Sequence, residues 1–215
     1  RQVEITFANQ LSQAYPDLDM RRILELVGTK WNIGTFQPSF GTGGYCIPLA
    51  PQYVLQGAGN PEALSLLEAS IKSDSDQPYK VVESLVARGA KRVGILGLTY
   101  TADLQVHILS PTIRLAQGLM SAGVEVKVHD PYYSPEEIRQ IAETDAFEFP
   151  GDLSEFDTVL INSGHLLYRS TPDDVVASSL AGCELLLDSP GIWTDITFSE
   201  GTRYYRTGGA GWLSS

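Results

Sequence analysis

Within Gly41-Thr42-Gly43-Gly44-Tyr45-Cys46-Ile47-Pro48, three glycines in four positions stand just ahead of a cysteine. Glycines let main-chain N–H groups come close to a ligand, and a thiolate is a strong nucleophile. The pattern fits a thiol that attacks a carbon centre beside backbone donors. It also fits an ordinary glycine turn before a buried structural cysteine. A catalytic thiol needs a lowered pKa to act at neutral pH. No histidine or lysine adjoins Cys46, and Lys30, upstream of the loop, is the nearest candidate cation.

Extended to Gln37-Pro38-Ser39-Phe40 on its N-terminal side, the segment resembles the active-site stretch of the nucleotide-sugar dehydrogenases, the UDP-glucose 6-dehydrogenase and GDP-mannose dehydrogenase family. Pro38, Gly41, Gly43, Gly44, Cys46 and Pro48 match its pattern, and Phe40 and Tyr45 lean toward the UDP-glucose branch. Downstream, Lys91-Arg92-Val93-Gly94-Ile95-Leu96-Gly97-Leu98-Thr99-Tyr100 resembles the strand that opens the family's C-terminal nucleotide-binding domain. Ser110-Pro111 starts a helix at the family's spacing, and Val128-His129-Asp130-Pro131 is similar to the end of its second strand.

The resemblance spans nearly the whole chain and implies a two-step, four-electron oxidation of a primary alcohol to a carboxylate, with two NAD molecules accepting hydride. Cys46 is then the residue that adds to the intermediate aldehyde, holds it as a thiohemiacetal and leaves a thioester for water to hydrolyse. The implied substrate is a UDP-sugar, UDP-glucose first, contacted by Lys30, Phe40, Gly41, Gly43, Gly44, Tyr45 and Thr101. Lys30 lies close to where some members contribute an arginine across a dimer. NAD is expected to bind mainly in a domain that would precede Arg1, and a homodimer is expected through the central helices.

Three positions depart from the family pattern. Ala50 stands where an aspartate assists proton transfer, Thr101 where a lysine stands, and Ile108 where an arginine stands. These changes imply an alternative: an inactive paralogue kept as a nucleotide-sugar binder or assembly scaffold.

The elements that must hold these residues follow from pattern. Val3, Phe7 and Leu11 recur every four positions, and Asp19 precedes Met20, Ile23, Leu24 and Val27, so two amphipathic helices are expected, the second closed by Gly28. Thr29 to Gly59 has no sustained period. From Pro61 to Arg88 a long helix is expected, interrupted by the polar run Ser73–Asp76 and bent or broken at Pro78. In the family this region joins the two nucleotide-binding domains and forms the dimer interface.

Beyond Lys91, the apolar runs Val93–Leu98, Val124–Val128, Thr158–Ile161 and Leu185–Leu187 read as buried strands. Between them Ser110-Pro111, Ser134-Pro135 and Thr171-Pro172 each put a hydroxyl at the N-cap and proline at the first helical position. The fold class is therefore α/β: a helical central (dimerisation) segment over residues 1–88, carrying the cysteine loop, then a Rossmann-like doubly wound parallel sheet over residues 89–215. Pro150–Phe156 and the tail from Gly191 resist placement, with Gly208–Trp212 read as a turn or a frayed end.

Gly94-Ile95-Leu96-Gly97-Leu98 lacks the third glycine of a dinucleotide fingerprint, and about a dozen residues separate it from the helix at Ser110, so this second domain does not read as an NAD site. His107, His129 and His165 all fall near the C-terminal edge of the sheet, without metal-ligand spacing. Surface or hydrogen-bonded structural roles fit them better than catalysis or metal binding. Asp130 could meet a ribose hydroxyl, although a local role in its Asp-Pro turn fits better.

With 215 residues, 43% of them hydrophobic, the chain can bury one good core or two smaller ones. Its net charge of -11 argues against nucleic acid and anionic membrane as partners. No apolar run is long enough to cross a bilayer. Cys46 and Cys183 read as free thiols of a cytoplasmic protein rather than a disulfide. A chain that opens with Arg1 in mid-helix suggests a piece of a longer protein.

Overall fold

The computed structural model describes residues 1–214. Two helices open the chain, α1 (Gln2–Ala14) and α2 (Met20–Val27), the latter capped by Asp19, whose side chain accepts from Arg22 N. The long irregular segment that follows contains one short helix, α3 (Ala50–Gln56). A 3-10 turn at Pro61–Leu64 leads into α4 (Ser65–Ala87).

Helix α4 runs unbroken through Ser73–Asp76 and Pro78, contrary to the expected interruption. Asp74 and Pro78 are buried, and the Asp74 carboxylate accepts from Thr42 N (3.2 Å) and Thr42 Oγ1 (2.5 Å). The polar run is thus the helix face that holds the glycine segment. Local composition alone made it look like a break.

Helix α1 buries a more polar face than expected. Gln2, Thr6, Asn9 and Ser12 form its buried face, with Gln2 Nε2 and Thr6 Oγ1 donating to Ser70 O of α4. The expected apolar stripe is split: Leu11 packs half-buried against Ala8, Met20 and Leu24, whereas Phe7 is 58% exposed, and Leu26, Val27, Trp31 and Ile33 beyond the helix are exposed as well. Hydrogen bonding to α4 and to the cysteine segment outweighs apolar burial on this helix. Only a small core of Ala8, Met20 and Leu24 belongs to this part alone.

The remainder is a six-stranded, all-parallel sheet in the order β3-β2-β1-β4-β5-β6. Its strands are β1 (Arg92–Leu96), β2 (Glu125–His129), β3 (Asp145–Ala146), β4 (Thr158–Ile161), β5 (Leu185–Asp188) and β6 (Arg203–Arg206). Alternation along the strands divides the core between two faces. Val93, Ile95, Leu160 and Leu187 face α4 and α5 (Pro111–Ser121), joined by Phe40 and Trp212. Leu96, Val159, Ile161 and Leu186 face Phe156, Tyr168, Val176 and Trp193 on the other side.

Because Val81, Val82 and Leu85 of α4 belong to the first of these clusters, the main core crosses residue 88. The short edge strands β3 and β6 had no apolar run to reveal them. Helix α6 (Pro135–Ala142) has the full Ser134–Glu137 capping box, and Ser110 caps α5. The third expected cap shifts by one: Pro172 precedes α8 (Asp173–Ser179), while Thr171 Oγ1 donates back to Leu167 O of α7 (Leu166–Ser170) at 2.7 Å.

The tail is neither frayed nor free. Arg21 N donates to Gly208 O (3.1 Å) and Gly211 N to Pro16 O (2.8 Å), so the turn after β6 packs on the helical part. Gly208, at φ 82°, lies where a Cβ would come 2.6 Å from Pro38 Cγ. That contact brings the C-terminal turn against the start of the cysteine segment.

Candidate functional site: a thiol cavity and the sheet edge beside it

The segment from Pro38 to Cys46 is fixed from three sides. Ser39 N donates to Asn9 Oδ1 and Gln77 Nε2 to Ser39 O, each at 2.8 Å, while Asp74 holds Thr42. From the sheet side, Gly44 N donates to Ile108 O at 2.7 Å. Two of the loop donors expected to face a ligand, Thr42 N and Gly44 N, are therefore satisfied within the protein.

The glycines answer to Tyr100. A Cβ on Gly43 would lie 2.3 Å from Tyr100 Cβ, and one on Gly44, at φ +81°, would lie 2.8 Å from Tyr100 Cζ. Gly41, at φ +135°, passes between Pro78 and Pro111. Close approach of the backbone is real, and the group that approaches is a side chain of the second half. Phe40 is fully buried in the main core, so its aromatic ring anchors the segment and has no surface to offer a sugar.

Cys46 is exposed and opens on a cavity of about 350 Å³, lined by Ala50 together with Val3, Ile47, Val54 and Leu67. Ala50 thus sits on the wall of the thiol's own cavity. The cation that shares this cavity is Arg1, whose guanidinium stands 5.7 Å over the Phe36 ring. Lys30 lies in the exposed turn after α2, outside the cavity lining, and Tyr45 is exposed. Cys183 is buried and free, and burial pushes its thiol up to about 12.

Thr101 belongs to a second cavity, about 340 Å³, at the C-terminal ends of β1 and β4 with Tyr100, Asn162, Ser163 and Arg169. This is the topological switch point of the sheet, where open α/β folds place their ligands. Tyr100 connects the two places, lining this cavity while it packs on Gly43 and Gly44. The structure does not gather the expected site residues into one cavity.

The first loop of the sheet carries an arrangement that sequence reading missed. Leu98 N (2.8 Å) and Thr99 N (3.1 Å) donate to Asp130 Oδ2, and Tyr132 N donates to Asp130 Oδ1 at 2.9 Å. His165 Nε2 lies 3.1 Å from the same carboxylate. Burial raises the Asp130 pKa, but the bonds from His165 and the backbone outweigh it and hold the carboxyl below its ordinary value.

Donors that meet a pyrophosphate in a dinucleotide site are here bound to an internal carboxylate, and Gly97 abuts Ser163. The residues present do not fit NAD at this edge. All three histidines are hydrogen bonded, His107 to Tyr133, His129 to Tyr168 and His165 to Asp130 and Thr99. Among the described residues, no group of three or more His, Cys, Asp or Glu is placed to hold a metal ion, and no helix is long and apolar enough to cross a membrane.

Residues 1–75 match the central domain of the UDP-glucose/GDP-mannose dehydrogenase family, and residues 94–195 match its UDP binding domain. The chain belongs to that family.

Among its relatives, the UDP-N-acetyl-D-mannosamine dehydrogenase of Methanococcus aeolicus is 28% identical over 171 residues, covering 73% of this chain and 38% of that protein. The UDP-glucose 6-dehydrogenase of Rickettsia bellii is 28% identical over 140 residues, 60% of this chain and 32% of that protein. The GDP-mannose 6-dehydrogenase of Pseudomonas aeruginosa is 25% identical over 134 residues, 59% and 31% respectively. The UDP-D-ManNAc dehydrogenase structure from Pyrococcus horikoshii superposes with a TM-score of 0.79 at 18% identity, over 98% of this chain and 50% of that one.

This family member therefore spans less than half the length of those curated relatives. Their sugars differ, so the leaning toward UDP-glucose expected from Phe40 and Tyr45 is not supported over the alternatives.

Proposed function

We propose that the chain is the substrate-side part of an NAD-dependent nucleotide-sugar dehydrogenase acting on a UDP-sugar, with Cys46 as its nucleophile. The observation that carries this reading is the exposed thiol at the mouth of a cavity, on a segment fixed by Asn9, Gln77, Asp74 and Ile108. A thiolate so held can add to a carbonyl carbon, the pair of electrons moving to the carbonyl oxygen, which then takes a proton. Thr101 and Asn162 at the sheet edge offer uncharged hydrogen-bonding groups to the nucleotide. NAD would supply hydride acceptance from a part outside residues 1–214. The chain alone should not turn over.

A homodimer through the central helices agrees with the exposed apolar face of Phe7, Leu26, Val27, Trp31 and Ile33. Phe7, Val27 and Ile33 line one surface cavity, and contiguous exposed apolar surface is a common mark of protein association. The free thiols Cys46 and Cys183 agree with a cytoplasmic setting.

Ala50 favours a second reading. It places a methyl group on the wall of the thiol cavity where the family resemblance expects an acid, leaving Cys46 without a carboxylate there to move a proton. An inactive nucleotide-sugar binder or assembly scaffold would tolerate that change.

Calorimetry with UDP, UDP-glucose and UDP-N-acetylmannosamine, on the chain and on Cys46→Ala, separates the readings. Saturable binding of the UDP-sugars supports the dehydrogenase part. No heat at millimolar ligand would sink both the substrate-side and the binder readings and leave the assembly scaffold.

A further inference from the structure

The loop between β1 and α5, residues 97–110, carries three positive φ angles: Gly97 at 97°, Asp103 at 59° and Leu109 at 51°. For aspartate and leucine that conformation persists only where surrounding contacts enforce it. The enforcing residue at Asp103 is His165, whose ring is fully buried.

Its Nδ1 accepts from Asp103 N at 3.0 Å, so the neutral ring carries its proton on Nε2, 3.1 Å from Asp130 Oδ2 and 3.0 Å from Thr99 Oγ1. One imidazole thereby ties both ends of the Thr99–Asp103 stretch to the end of β2. Inside that stretch stands Tyr100, pressed on Gly43 and Gly44, and further along the loop Ile108 O accepts from Gly44 N. An unbroken set of contacts runs from His165 to the segment ending in Cys46.

We propose that His165 is a proton-sensitive bolt on this loop. Neutral, it accepts the Asp103 N–H and keeps Tyr100 against the glycine–cysteine segment; protonated at Nδ1, it releases that N–H and loosens both segments. A proton on Nδ1 would face the Asp103 N–H donor head-on, and the nearest new acceptor, Asp103 Oδ1, is 3.8 Å away. A hydrogen bond to it requires the loop to shift, because 3.8 Å is beyond hydrogen-bond reach and Leu166 N (2.6 Å) and Arg169 Nη2 (2.7 Å) hold the Asp103 carboxylate where it is.

The other charged or titratable groups around the ring are Asp130 and His129 at the end of β2, Tyr132 after it, Asp103 in the loop, and Tyr168 and Arg169 on α7. Burial pushes His129 down to about 4. Asp103 is held below the ordinary carboxylate value, chiefly by the Leu166 N–H. Asp130 is held low as well, and Tyr168 is pushed well up by burial. These four keep one charge state across about pH 5–8, the range in which imidazoles ordinarily titrate. The bolt acts on the thiol segment whatever sugar the chain accepts.

The test is amide hydrogen exchange of the full chain between about pH 8 and pH 5, corrected for the intrinsic pH dependence of exchange, beside a ring-nitrogen NMR titration of the histidines. His107→Gln and His165→Gln together assign the three ring signals. Protection of the Asp103 and Gly44 amides should fall about tenfold in step with protonation of His165 Nδ1, beyond any fall that β4 and β5 amides share through global stability. In His165→Gln, which has no such titration, the step should vanish.

A histidine with only a structural role would shift protection equally at every pH. The proposal is overturned if His165 titrates with both amides unchanged, if it stays neutral to the acid end of the range, or if the step survives in His165→Gln. Should that variant fail to fold, the coincidence of ring and amide titrations in the unaltered chain decides.

Discussion

Gly43 and Tyr100 occupy space that only one Cβ can use: adding a Cβ to the glycine would put it 2.3 Å from the tyrosine's own. Gly43→Ala should therefore cost about 1–3 kcal/mol, the usual range for overpacking. Its cost should fall only in part in a Tyr100→Ala background, which removes Tyr100 Cγ at 2.9 Å but retains the Cβ at 2.3 Å. Gly44→Ala should behave differently, because it would meet the ring at Cζ, 2.8 Å away. Truncating Tyr100 should relieve that clash and leave only the strain of φ +81°. Urea unfolding of the three single variants and of each glycine variant combined with Tyr100→Ala reads both couplings, and equal behaviour of the two glycines would contradict the packing described.

The two thiols should separate cleanly under alkylation. Cys46 is exposed, whereas burial holds Cys183 up at about 12 and encloses it, with Sγ 3.2 Å from Leu185 O. Iodoacetamide under native conditions, followed by peptide mass mapping, should label Cys46 alone, and unfolding should expose Cys183. Labelling of Cys183 in the folded chain would show that the sheet face under Trp193 opens far more readily than its packing allows.

His129 should set part of the acid limit of stability. Burial lowers its pKa from 6.5 to about 4, with Nδ1 bonded to Tyr168 Oη at 2.8 Å. A base with a depressed folded pKa contributes stability that is fully present above the unfolded value and is lost as pH falls toward the folded one. The window is thus from 6.5 down to about 4, and the loss across it is about 3 kcal/mol as an order of magnitude. His129→Gln should flatten that decline in urea midpoint with pH, at some loss of stability at neutrality. An equal decline in the variant would place the titration elsewhere.

The sheet and the segment before Cys46 could be read from sequence because each leaves a local mark: apolar runs for four central strands, and glycines beside a thiol. What could not be read is set by distant partners. The polar face of α1 is buried because Ser70 and Ser39 supply partners for Gln2, Thr6 and Asn9, and no helical period announces that. The His165–Asp130–Thr99–Asp103 network joins three loops that meet only at the sheet edge. Asp130 before a proline was visible as a turn former, but its four hydrogen bonds were not. Likewise, Lys30 was nearest to Cys46 among cations of the chain in its upstream direction only until α1 brought Arg1 to the thiol's cavity.

Arg21 should prove the main tie between the helical part and the sheet. Its guanidinium is buried without a carboxylate partner within ion-pair distance among the described residues and donates instead to Thr207 O (3.0 Å), Ser189 O (2.8 Å), Thr207 Oγ1 (3.1 Å) and Pro38 O (3.5 Å). Burial lowers its pKa and the nearby Arg206 adds to that, yet an arginine keeps its charge at any working pH. Arg21→Ala should destabilise by about 3 kcal/mol, since it removes several charge-assisted bonds and leaves buried carbonyls without donors. Arg21→Lys should recover only part of the loss, because one ammonium cannot span acceptors that a planar fork reaches together. Because Pro38 opens the cysteine segment and packs on Gly208, both variants should also raise hydrogen exchange at residues 38–46 before global unfolding. A change below about 0.5 kcal/mol, with exchange in that segment unaltered, would mean that the tail and the core shared by α4 hold the two parts together without the clamp.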